Sequence, residues 1–385
     1  MEKYFVAALT SATQIGSKRA AQLINHFGSA ENAWAAAEVD LLDAGLPERA
    51  VTSLVNLRQR FPNMAEEIET RCAAKNIKLC LIDDEEYPES LKTIDDAPIL
   101  LYYKGELQPK AKRLAIVGTR EQTPYGKYVA LELAEDIAAA SLTIVSGGAR
   151  GIDSFAHRGA LRTGRTIAIM GCGLELVFPP ENRRLFDQIA ENGALISEYP
   201  PKMQPSRSTF PRRNRLIAGL SKGVCIVEAG ETSGALDTAQ HAINYNRTLF
   251  AVPGSIHAEK SRGCNELIRN GAVLVRSAQD VFDAFDMKIA VVERPSAIEN
   301  KPHTSEIPAR RRTLQTAAEL GLEGDEAAVF DLITDKPIDL DNILIKLDEV
   351  LDKEISPPEL SMILLRLSFG GLVTEDDSGN YSRGR

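Results

Sequence analysis

Residues 113–148, "RLAIVGTREQTPYGKYVALELAEDIAAASLTIVSGG", hold a short apolar run, a glycine-containing turn, a long amphipathic segment and a second apolar run that ends in glycines. Runs of β-rich residues without polar alternation are the pattern of strands buried on both faces, and the helical stretch between them is long enough for a crossover. The pattern repeats from 111 to about 286. The runs "RTIAIMG", "ALISEY", "GVCIVEA", "TLFAVPG" and "AVLVRS" continue the strands, and "DSFAHRGALRTG", "ENRRLFDQIAENG" and "GALDTAQHAINYN" continue the helices. The expectation is an α/β domain with a doubly wound, mostly parallel sheet covered by helices on both sides.

The flanks read differently. Residues 1–75 are helical throughout, and "IGSKRAAQLINHFGS" and "LLDAGLPERAVTSL" form two units of helix, glycine turn and helix that resemble helix-hairpin-helix (SAM-like) modules. Such turns hold a phosphate on backbone N–H groups, here with Lys18 and Arg19 nearby, but the acidic surface favours a plain helical packing module. Residues 76–110 add a strand-like run and the apolar "PILLYYKG", which lead into the central domain of 76–286. Residues 287–320 carry Pro, Ser, Asn and mixed charge without a sustained period, the composition of a linker. Residues 321–385 offer three helical segments and a hairpin, the outline of a winged helix. Their carboxylates, with only Arg366 in "PPELSMILLRL", favour docking or oligomerisation over duplex reading.

The composition is that of a soluble protein. Of 385 residues, 45 are Lys or Arg against 54 Asp or Glu, a formal net charge of -9, so nucleic-acid binding has to come from a local basic cluster. The five cysteines, Cys72, Cys80, Cys172, Cys225 and Cys264, are odd in number and never form a C-x-x-C pair, which reads as reduced cytoplasmic thiols with neither disulfide framework nor zinc site. The five histidines are scattered, so no metal is expected. No signal peptide and no membrane-length apolar run is legible.

In parallel sheets ligands bind beyond the carboxyl ends of the strands, and the unusual residues fall there. One strand ends in Gly118, Thr119 and Arg120, the next in Ser146, Gly147 and Gly148. "MGCGLELVFPPENRR" leads to Asn182, Arg183 and Arg184, and "VEAGETSGALDTA" presents Thr232, Ser233 and Gly234 at a helix start. Glycine lets backbone approach an anion, and the guanidinium fork suits phosphate oxygens, although neither of the first two loops is a G-x-G-x-x-G fingerprint. "FPRRNRLIAGLS", residues 210–221, follows "MQPSRST" and gathers Arg207, Arg212, Arg213 and Arg215 around Phe210 where a helix should open at Pro211. A charge run is most often a solvated face. Cations at a helix amino terminus oppose the dipole, however, and a bound polyanion, with Phe210 stacking on a base, would account for them. Glu228 reads as a capping or ligand-bonding carboxylate. Asp153 and His157, four apart, are explained by an intrahelical hydrogen bond as well as by acid/base work, and Cys172 reads as a small buried filler.

Taken in order, "VGTR…YG", "SGGARGID…AHRGAL", "TIAIMGCGLE…FPPEN", "ISEYPP", "FPRRNRLIAGLS", "VEAGETSGALDTA" and "FAVPGSI…GCNELIRNGA" closely resemble the DNA-processing protein A (DprA/Smf) family, over about 76–286. The resemblance implies an extended Rossmann-like domain that binds single-stranded DNA without sequence preference, protects incoming strands, self-associates as a homodimer and loads the recombinase RecA during natural transformation. By motif position the DNA pocket carries over to Gly118, Thr119, Arg120, Ser146, Gly147, Gly148, Phe210, Arg212, Arg213, Asn214 and Arg215, with the turn from Glu228 to Gly234 lining the cleft. The dimer face carries over to Leu267 and Ile268. Many family members have Lys in the "FPPENRR" loop where this chain has Pro180 or Glu181, so either Arg183 takes that contact or the pocket is weaker there. No catalytic residue and no cofactor is implied. The alternative is a nucleotide-processing phosphoribohydrolase of related Rossmann arrangement. Its glycine-rich acidic loop would have to be matched by "EAGETSGALDT", which lacks the leading proline and the carboxylate pair and offers only Asp237.

Overall fold

The structure is a computed structural model that describes residues 1–287, 322, 324–334, 338–350, 355–369, 372–375 and 380–383. The described residues fall into two compact units, one up to 287 and one from 322 onward. The expected linker lies outside the described residues, apart from its first residue, Met287.

The first unit is built on a nine-stranded sheet: β1 (Lys78–Leu81), β2 (Leu100–Gly105), β3 (Arg113–Val117), β4 (Thr143–Ser146), β5 (Thr166–Ile169), β6 (Ala194–Ser197), β7 (Gly223–Ile226), β8 (Thr248–Ala251) and β9 (Val273–Leu274). Their order in space is β1-β2-β6-β5-β4-β3-β7-β8-β9, with every pair from β6 to β9 parallel and both β1–β2 and β2–β6 antiparallel. All seven apolar runs of 111–286 are therefore strands, and 76–110 extends the sheet by an antiparallel pair.

Period-two alternation places the two faces in different cores. Ala115, Val117, Val145, Ile226 and Ile167 pack beneath α11 (Thr209–Leu220) and α12 (Ala235–Asn244), with Leu91 of α7 (Glu89–Lys92) joining them. Leu114, Ile116, Ile144 and Phe250 pack on the other side against α8 (Pro124–Ala139), α9 (Ile152–Thr163) and α14 (Ala278–Ala284). The helices α10 (Arg183–Asn192) and α13 (Arg262–Arg269) complete the wound domain.

Residues 1–75 form α1 (Glu2–Ser11), α2 (Ser17–Phe27), α3 (Ala30–Ala35), α4 (Glu38–Asp43), α5 (Glu48–Arg60) and α6 (Met64–Ala74). Their apolar residues, among them Leu9, Leu23, Trp34, Leu54 and Cys72, share one continuous core with Leu79, Leu100 and Tyr102 of the outer strands and with Phe186 and Ile189 of α10. Packing across residue 75 is uninterrupted.

The second unit contains α15 (Gly324–Leu332), α16 (Leu340–Val350) and α17 (Pro357–Phe369). A small antiparallel sheet joins β10 (Ile338–Asp339), β12 (Asn380–Arg383) and β11 (Val373–Glu375), in that spatial order. Val329, Phe330, Ile343, Leu347, Leu360 and Leu364 fill its core. Among the described residues no helix is long and apolar enough to cross a membrane.

Candidate functional site

The connection after β3 runs by α8 toward β4, and the connection after β7 runs by α12 toward β8, so the chain diverges beyond the carboxyl ends of these adjacent strands. That divergence is where an open α/β sheet leaves a crevice. Here the crevice has a volume of about 880 Å³ and is lined by Gly118, Thr119, Arg120, Arg207, Phe210, Arg213 and Asn214, with Phe178, Ser233 and Gly234 closing its sides.

Its floor is a hydrogen-bonded lattice of buried groups. Arg213 is only 3% exposed. Its guanidinium donates to the carbonyl of Gly147 at 2.5 Å and to that of Ile169, at the ends of β4 and β5. Asp153 accepts from the backbone N–H groups of Gly147 and Ala149 at 3.1 and 3.3 Å. Burial lowers the Arg213 pKa to about 10 against the opposing pull of Asp153, and raises that of Asp153 against the pull of Arg213. Only glycine fits between them, since a Cβ on Gly147 would stand 2.5 Å from the Arg213 guanidinium and 2.6 Å from the Asp153 carboxylate. Ser146 is likewise internal and donates to the Ile116 carbonyl at 2.6 Å.

The rim is built otherwise. Arg120 and Arg207 are exposed, and neither has a carboxylate partner at ion-pair distance among the described residues, whereas Arg212 is exposed on α11 but does not line the cleft. The Arg120 guanidinium sits 5.4 Å from the centroid of the Phe210 ring, and that of Arg213 sits 5.8 Å away. Phe178, 41% exposed, approaches Phe210 at 5.6 Å with a 50° tilt. Phe210 lies over Gly171, where a Cβ would come within 2.9 Å of the ring. Two aromatic rings and two free guanidinium groups, Arg120 and Arg207, thus share one open cleft. Besides buried Asp153, its carboxylates are Glu121 and Asp237, exposed at the sides, with Asp237 accepting from Asn214 at 3.4 Å.

The remaining expected site residues are placed elsewhere. Arg215 faces away from the cleft: it pairs with Glu198, and with Asp96 at 3.5 Å, behind α11. Arg213 is a floor residue rather than a free cation. Glu228 is buried and holds the start of α8, accepting from Thr123 N at 2.9 Å and from the Thr123 hydroxyl. Thr123 in turn accepts from Gly126 N at 3.1 Å as the helix cap. Both oxygens of the Glu228 carboxylate are thereby engaged. Gly148, with φ +63°, packs against Phe186. Arg183 is exposed on the first turn of α10 and Thr232 is exposed in its loop, and neither lines the cleft. Glu181 is paired with Arg150.

The helix expected to open at Pro211 begins at Thr209, which brings Phe210 into its first turn. Asp153 and His157 do not bond each other: the His157 ring meets the Thr166 hydroxyl at 2.7 Å through Nδ1. Cys172 is buried, with its thiol pushed up to about 11 by desolvation. Sequence reading missed Phe178. The available signal was an aromatic between a strand end and two prolines, where burial in a sheet is unavailable to it.

A second groove lies between α12 and α13, lined by Leu236, Ile243, Ile256, Asn265, Leu267 and Arg269. Ile256 is 79% exposed. Leu267 lines this groove, whereas Ile268, only partly buried, packs against the core under α12.

The comparisons agree with this architecture. The family model for DNA recombination-mediator protein A matches residues 78–286. Protein Smf of Synechocystis sp. is 32% identical over 401 aligned residues, covering 99% of each chain. The X-ray structure of DNA processing protein A from Streptococcus pneumoniae superposes with a TM-score of 0.63 at 34% identity, covering 74% of this chain and 98% of that one. DNA processing protein A from Helicobacter pylori, a structure described for its single-stranded DNA binding mode, gives 0.50 at 32% identity over 55% and 97% of the two chains. With its central domain matched end to end and one relative aligned along nearly its whole length, this chain belongs to the DNA recombination-mediator protein A family.

Proposed function

We propose that this protein binds single-stranded DNA, without regard to sequence, in the cleft beyond β3 and β7. The observation that carries the reading is the rim: exposed Arg120 and Arg207 without carboxylate partners beside Phe210 and Phe178, on a chain of net charge -9. Cations take phosphates and ring faces take unpaired bases, and every base has a ring face to offer, so the contact is blind to sequence. A duplex keeps its bases stacked and cannot offer them to the rings. Binding without turnover is the corresponding expectation, as Glu228 is committed to Thr123.

The apolar groove between α12 and α13, with exposed Ile256 and Ile243, supports self-association as a homodimer through the side that carries Leu267. Two clefts on one strand would add avidity. The family's character as recombination mediators, and the single-strand binding of the H. pylori relative, support a cytoplasmic role in transformation: shielding incoming strands and loading a RecA-type recombinase. We read the six amino-terminal helices as helix-hairpin-helix-like and the second unit as winged-helix-like.

The deciding experiment is fluorescence anisotropy with a labelled oligothymidylate, competed by unlabelled single strands of other sequence and by duplex of equal length. All single strands should compete comparably and the duplex far less. Equal competition by the duplex, or a strong preference for one base, would reject the reading.

A further inference from the structure

Outside the cleft, two cations from different helices converge on one aromatic ring. Phe155, half-buried in the first turns of α9, has the Lys127 Nζ of α8 at 5.4 Å from its centroid and the Arg158 guanidinium at 5.5 Å. Both cations are exposed, and neither has a carboxylate at ion-pair distance among the described residues. One turn farther along α9 the situation changes, since Arg162 is paired with Glu135 at 3.0 Å. The unneutralised charges are thus confined to the end of the helix pair nearest the cleft.

The backbone ties this patch to Arg120. Ile152 N donates to the Thr119 carbonyl at 3.1 Å, and Phe155 N to Gly151 at 3.3 Å. Gly151 has φ +81°, and a Cβ there would run into the Thr119 carbonyl and the Arg120 backbone. Phe155 therefore stands one turn, about 6 Å of helix rise, from the loop that carries Arg120. Lys127 N closes the first turn of α8 on the Thr123 carbonyl at 2.9 Å, directly after the same loop. Tyr128, 64% exposed, lies beside it.

Holding two like charges over one ring is unfavourable unless something neutralises them, and a phosphodiester with its base does so while leaving the ring a stacking partner. We propose that the α8–α9 face formed by Lys127, Phe155 and Arg158 is a second binding step for the single strand, taken by nucleotides that leave the cleft past Arg120. The inference rests on the single-strand reading of the cleft. Its rival is that the two long side chains merely shelter Phe155 from water.

The test is anisotropy on the full chain with oligothymidylates of increasing length at several salt concentrations, comparing the wild type with Lys127→Gln/Arg158→Gln. The shortest oligomers that fill the cleft should bind both proteins equally. Longer ones should gain affinity only in the wild type, whose log K against log salt should be steeper by about 1.4, two contacts at about 0.7 each. Phe155→Leu, which keeps the apolar volume, should lose part of the length gain. Equal length gain and equal slope in wild type and double variant would overturn the proposal in favour of the sheltering role. Loss of the short oligomers in the double variant would overturn it too, by making patch and cleft one site. A wild type that binds no oligomer at all would instead bring down the cleft reading beneath it.

Discussion

The rim and the floor of the cleft use the same side chain for opposite purposes. Arg120 and Arg207 end in solvent without carboxylate partners, whereas Arg213, which lines the same cleft, is sealed against two strand-end carbonyls. A buried cation fixes geometry at a desolvation cost, and an exposed one keeps its charge for a visitor. Arg215, two residues on, belongs to neither, since its pairing with Glu198 and Asp96 fastens the back of α11. The basic look of "FPRRNR" is thus mostly architecture, and the free charge at the cleft comes from residues outside it.

The contrast breaks first at the floor. Arg213→Ala strips the lattice of its cation beside buried Asp153 and should cost roughly 3–5 kcal/mol of stability, read as a lowered melting temperature. A stable variant that merely loses DNA would mean Arg213 acts as a rim residue. Replacing Arg120 and Arg207 together by alanine should do the reverse. About 3 kcal/mol of binding, roughly 100-fold in Kd, should go with the melting temperature unchanged, since hydrogen bonds to charged groups contribute about 1.5–3 kcal/mol each.

Acid should sharpen the distinction. His157 behind the floor is pushed from 6.5 down to about 3 by burial and by the repulsion of Arg213. Its folded pKa is depressed, so the unfolded chain takes up the proton first. The stability is complete above pH 6.5 and falls as pH drops through the window toward 3, by about 1.4 kcal/mol per pH unit. Chemical denaturation as a function of pH should show this slope, and His157→Gln should remove it. The smallest effect is expected at Phe178→Ala, which should weaken oligothymidylate by about 1 kcal/mol, as for loss of one stacked base, without altering stability.

The sequence carried the sheet almost completely, because a strand buried on both faces needs an unbroken apolar run and each run here ends at a turn whose composition marks it. The glycine turns of the cleft were legible for the same local reason. Charge pairing was not. Arg215 meets Glu198, 17 positions away, and Asp96, 119 away, and no window along the chain juxtaposes them. Glu228 was readable as a capping carboxylate, but Thr123, the cap it holds, stands 105 residues earlier. Phe178 escaped because its loop reads as a turn, and its value comes only from meeting Phe210 across the crevice.

The uninterrupted packing across residue 75 bears on how the chain can be divided. A truncation beginning with the matched segment at residue 78 would bare Leu79, Leu100 and Tyr102 to water and leave α10 uncovered along Phe186 and Ile189. Such a fragment would be sticky rather than minimal. The leading helices fall before the matched segment but share its core, so they should melt with it, and family match and packing draw the domain's border in two different places.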